Sequence, residues 1–98
     1  MPNRLKSGVL KDRLRRRLLK IAKDCRLNIA AARWWNQHRP QFSAIDCEGD
    51  RVLLSLARRC LAAIDAGDMQ RVASLVRQIG QQAVRNVIDG LVDSAEAS

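Results

Sequence analysis

Leu10, Leu14, Leu18, Ile21 and Cys25 recur at intervals of three and four residues through a stretch otherwise dominated by arginine and lysine. At about 100° per residue these five side chains fall on one narrow stripe of a helix, whereas a strand would divide them between its two faces. Arg13, Arg16, Arg17, Lys20 and Lys23 fall on the opposite side. A chain that opens this way is committed to an amphipathic helix whose apolar seam needs a neighbour and whose basic ridge faces water.

The remainder fits the same class. Tyr is absent, Phe occurs once, and Gly and Pro number five and two among 98 residues, so the turn-rich, aromatic pattern of a β-sandwich is missing. The length allows one modest core. The reading is all-α: one domain over residues 1–98, a small helical bundle of about four helices with a C-terminal αα-hairpin. Ser7 is the expected N-cap of a helix over 8–25, and Asn28 of a second over 29–37. Pro40 closes the basic half, residues 1–39, and 40–49 reads as the main loop. Asp50 is the expected cap of a third helix ending near Ala66. Gly67 and Asp68 then form a stop and a new cap, followed by a fourth helix to about Val92, with Ser94–Ser98 frayed. Val52, Leu53, Leu54, Leu56, Ala57, Cys60, Leu61 and Ile64 spread over about half of the third helix, and Val72, Leu75, Val76, Ile79, Ala83, Val87 and Leu91 line the inner side of the fourth. These faces exceed what four short helices bury, so a homodimer through helices 3 and 4 is expected. Gly80 lies within the fourth helix's apolar face, where it permits close approach at a cost near ~1 kcal/mol relative to alanine.

Charge decides the kind of partner. Eighteen Lys and Arg stand against ten Asp and Glu, a net of +8, and the excess is confined to one half. Residues 1–39 hold twelve basic and two acidic side chains, residues 40–98 six and eight. The basic ridge has only Asp12 and Asp24 as local counter-ions, and arginine's planar fork suits phosphate and carboxylate. Nucleic acid is therefore the expected partner, with an acidic protein surface as the alternative. In the first case the protein is a regulator or accessory subunit of a nucleoprotein complex; in the second, an interaction module or inhibitor.

All three aromatic residues, Trp34, Trp35 and Phe42, lie within nine positions, beside Arg33, His38 and Arg39. Adjacent Trp side chains on a helix diverge by roughly 100°, so one is expected in the core and the other at the surface. There it serves base stacking or anchors a partner, with Arg33 or Arg39 on phosphate. Ile21–Asn28 followed by Ile29–Trp35 resembles a helix-turn-helix motif, with Ala22 and Leu27 at packing positions. It departs from that motif at Arg26, which stands where a turn glycine belongs, and Ile29–Ala32 offers no hydrogen-bonding readout of base edges.

Other chemistries lack their residues. Asp46, Glu48 and Asp50 alternate without calcium-loop spacing, and Cys25, Cys47, Cys60 and His38 match no zinc pattern, so no metal or cofactor is expected. His38 has no nucleophile partner, and no phosphate-binding glycine loop or dinucleotide fingerprint occurs, so neither catalysis nor a small-molecule substrate is expected. Three unpaired cysteines and the lack of a long apolar run suggest a reducing, cytoplasmic setting without membrane contact.

Overall fold

The computed structural model describes residues 2–97, with side chains described for residues 8–93 and 95. Three helices account for almost all of it: α1 (Pro2–His38), α2 (Glu48–Ala66) and α3 (Met69–Ala97). The chain is all-helical, with no strand among the described residues, but the helices number three rather than four.

The difference lies in α1, which joins the two expected helices into 37 residues. Its seam explains why. Leu18, Ala22, Cys25 and Ala32 are all buried and Ile29 partly so. At 100° per residue they stay within one stripe only if the helix continues without a break through 26–28. A turn there would throw the second half out of phase with the first. Asn28 caps nothing; its Nδ2 donates to Asp50 Oδ1 on α2 at 3.3 Å. Ser7 likewise sits inside the helix, which begins five residues earlier. The helix-turn-helix reading falls with the missing turn.

α1 ends before Pro40, where the Phe42 amide donates to the Arg39 carbonyl at 3.1 Å in a proline-led turn. The segment 39–47 is pinned back on α1 by one side chain. Asn36 Nδ2 donates to the Ile45 carbonyl at 3.1 Å and Asn36 Oδ1 accepts the Ile45 amide at 2.8 Å, so a single amide group satisfies both backbone groups of Ile45. α2 starts earlier than expected. Asp50 is within its first turn, and the Glu48 amide donates instead to Asp46 Oδ1 at 2.9 Å. Glu48 and Asp50 place negative charge at the positive end of the helix dipole.

The turn between α2 and α3 follows the sequence closely. Gly67 adopts φ 72°, the Asp68 amide donates to the Ala63 carbonyl at 3.0 Å, and Asp68 Oδ1 caps α3 by accepting the Arg71 amide at 3.2 Å. At its far end α3 runs on helically to Ala97, past the expected end near Val92, and Ser98 lies outside the described residues.

The helices are not closed into a bundle. α1 and α3 each pack on α2, and among the described residues not on each other. The result is an elongated body of 60 × 24 × 18 Å with α2 in the middle. One cluster joins Leu18 to Leu56, Cys60 and Ile64 of α2 and to Val72 and Leu75 of α3. A smaller one joins Ala22, Cys25 and Leu54. The outer helices overrun α2 at opposite ends. Arg15 of α1 is level with Asp65 near the end of α2, so residues before it project past the α2–α3 turn. Asn86 of α3 abuts Gly49 at the start of α2, so residues beyond it project the other way. No helix among the described residues is long and apolar enough to cross a membrane.

Candidate functional site

An uninterrupted α1 has one consequence for charge: its outward line is continuous. At steps of three or four residues it runs through Arg13, Arg16, Lys20, Lys23 and Leu27, and two turns on it reaches Trp34, with His38 one turn farther; all seven are exposed. Arg17 lies beside this line and is also exposed. The described residues contain one ion pair, Arg15 to Asp65 at 2.9 Å, and it belongs to the flank of α1 that meets α2. Both partners remain largely solvated, so that pair contributes at most about 1 kcal/mol. Arg13, Arg16, Arg17, Lys20 and Lys23 therefore project together without a carboxylate partner among the described residues. The rise of a helix spreads them over about 15 Å.

The aromatic end is divided as the helical phase requires. Trp34 is 52% exposed and stacks on His38, with ring centroids 4.6 Å apart and planes 11° from parallel. His38 Nδ1 donates to the Trp34 carbonyl at 2.9 Å, which holds the imidazole over the indole. Trp35 turns the other way, half-buried, with its ring 5.6 Å from Phe42. Neither Trp is fully buried, because a body only 18 Å thick in its narrowest direction has no room beneath α1's last turns for a whole indole. Trp34, Trp35, Ala31, Ile45 and Cys47 line a shallow cleft of ≈ 660 Å³ between α1 and the loop, with Asn28, Asp46 and Asp50 at its edge.

The remaining candidates separate. Arg33 is exposed on the flank of α1 some 100° from Trp34, and Arg39 lies past the helix end, so neither joins the ridge. Leu27 and His38 complete the outward face; the sequence places Leu27 at a packing position and His38 beside the aromatic residues without joining either to the ridge. Their 3.5-residue phase with the ridge is visible only once the helix is known to pass through 26–28.

Among the described residues no group of three or more Cys, His, Asp or Glu is placed to share an ion. Cys25 and Cys60 are buried in different core clusters, and Asp46 and Asp50 are engaged with Glu48 and Asn28. Burial pushes both the Cys25 and Cys60 thiols up, helped at Cys25 by the nearby Asp50 and Asp24 carboxylates, which makes them poor nucleophiles. No protein-family model matches this chain, and neither a curated protein nor a solved structure matches it.

Proposed function

We propose that this chain is a small nucleic-acid-binding protein, a regulator or accessory subunit of a nucleoprotein complex, that grips phosphates with the ridge of α1. What carries the reading is five cations, Arg13, Arg16, Arg17, Lys20 and Lys23, unpaired among the described residues and held on one side of one continuous helix. Point charges at helical spacing suit a phosphate backbone, and the ridge offers few groups at the spacing that base edges demand, so binding is largely independent of sequence. Trp34, presented flat against His38 and open to solvent, adds a stacking platform for an unpaired base.

Fluorescence anisotropy across a salt series tests this. Neutralising five phosphates gives a log–log slope of about −4.5 on duplex DNA. Arg16→Glu with Lys20→Glu lowers affinity at least ~10-fold and flattens the slope by about 2. Trp34→Ala weakens binding to single strands more than to duplex, leaving the slope unchanged. Absence of binding to duplex and single-stranded DNA and RNA at low salt removes the reading.

One observation favours a second reading, an interaction module or inhibitor docking on an acidic protein. The outward line turns from cationic to apolar at Leu27 and ends in an exposed indole, the composition of a protein-interface anchor. It implies a stoichiometric complex that survives nuclease treatment and responds less steeply to salt.

A further inference from the structure

The cleft beside Trp35 is apolar in its wall and acidic at its edge, in a chain whose net charge is +8. Trp34, Trp35, Ala31 and Ile45 belong to the wall, Asp46 and Asp50 to the edge. The same two aspartates also line a smaller recess of ≈ 180 Å³, which Asp89 and Asp93 of α3 complete. The two hollows are therefore one trough, leading from the end of α1 across the start of α2 to α3. Gly49 is what brings α3 in. A Cβ at Gly49 would collide with the Asn86 side-chain amide. Without one, α3 reaches the start of α2, and Asp89 and Asp93, three and seven residues past Asn86, follow on the same helical face.

Four of the chain's ten carboxylates thus border one trough, and none of its described lining residues is Lys, Arg or His. Among the described residues none of the four has an ion-pair partner, although the chain holds eighteen Lys and Arg. Asp46 Oδ1 and Asp50 Oδ1 accept from the Glu48 amide and from Asn28 Nδ2, neutral donors that leave both charges standing. Their field is felt nearby, where Asp50 adds to the burial that pushes the Cys25 thiol up. The basic ridge does not cancel it. Lys23 lies about 16 Å along α1 from Trp34, twice the screening length of ~8 Å, and Arg33 points roughly 160° away from Trp35. Like charges held together repel, and a cation that enters between them relieves the repulsion.

The layout selects the kind of cation. Among the described residues no three carboxylates are placed to share a metal ion, so each addresses a separate charge. Indole faces attract cations through the ring quadrupole, and a planar guanidinium stacks on them better than an ammonium does. A shallow trough open along its length suits an extended ligand, whereas a compact one needs walls on most sides. We infer that the trough binds an arginine-rich peptide segment of a protein partner, with one guanidinium stacked in the Trp cleft and the cations that follow it set against Asp46, Asp50, Asp89 and Asp93. No residue of the ridge lines the trough, so the inference is independent of what the ridge binds.

Trp34 and Trp35 are the chain's two tryptophans, so intrinsic fluorescence reads the trough directly. The probe is a synthetic peptide of three arginines alternating with glycines, its ends blocked, titrated into the full chain free of nucleic acid. The expected result is a saturable one-to-one change in emission that weakens with salt and is several-fold tighter than with the lysine counterpart. Asp89→Asn with Asp93→Asn, at exposed positions outside the core, weakens binding about 5-fold. Ala31→Leu, which fills the cleft from an exposed helical position, weakens it about 10-fold, and both variants keep the far-ultraviolet circular dichroism of the parent. No change in emission at low salt, or binding indifferent to both variants, overturns the proposal. So does an equal or tighter response to spermidine, which would make the occupant a free polyamine. DNA titration of Ala31→Leu reads the ridge separately, so failure of one proposal is distinguishable from failure of the other.

Discussion

At the scale of single residues, local backbone need and burial decide the outcome. Gly67 takes a left-handed conformation in which any Cβ is strained, and the αα-hairpin turns on it. Cys25 and Cys60 show what burial does to a titrating group. Their folded-state pKa values lie above the ordinary thiol value of 9.0. Below pH 9.0 folded and unfolded chains both keep these protons, and stability is at its full value. As pH rises past 9.0 the unfolded chain releases protons that the folded chain retains, which favours unfolding, until the folded-state values are passed. Urea unfolding at pH 8 and pH 10 is expected to show a loss of stability at the higher pH that is smaller in Cys25→Ala with Cys60→Ala. At pH 8 a thiol reagent is expected to modify Cys47, which is only partly covered, before the other two.

At the scale of elements, phase outweighs local signals. The seam of α1 from Leu14 to Cys25 and the Gly67–Asp68 hairpin are legible in the sequence because each is written in nearby residues, apolar spacing in one case and a stop and a cap in the other; Leu10, which the same spacing puts on the seam, is 63% exposed because it lies beyond the part of α1 that α2 covers. The continuity of α1 is not. Asn28 carries a cap signal, and its cancellation depends on Asp50, 22 positions away, and on Ala32 and Ile29 staying in register with Leu18 against α2. Asp50 misleads for the same reason, since its carboxylate faces α1 rather than its own amide ladder. The clamp of Asn36 on Ile45 has no periodic signature at all. The ridge and the exposed aromatic were readable as residues, but their alignment on one line followed only from the unbroken helix. A substitution tests that helix directly. Arg26→Gly restores the glycine that a helix-turn-helix would place there, and in such a motif it would be tolerated. In the middle of α1 it is expected to cost about 1 kcal/mol in urea unfolding.

At the scale of the whole molecule, the packing is serial: α1 on α2, α2 on α3. Native-state hydrogen exchange is expected to reveal this order. Ile64→Ala on α2, which removes a buried side chain from the shared cluster, is expected to cost about 2–5 kcal/mol and to speed exchange in both outer helices. Leu18→Ala on α1 is expected to speed exchange in α1 while α3 keeps most of its protection, because among the described residues α3 packs on α2 and not on α1. The serial order also has a geometric meaning. With no strut between the outer helices among the described residues, the angle between them is inherited from the bulk of side chains on α2, above all the fully covered Ala57 and Cys60. Those two positions act as shims: thickening either one tilts the cationic rail of α1 against the exposed aliphatic side chains of α3.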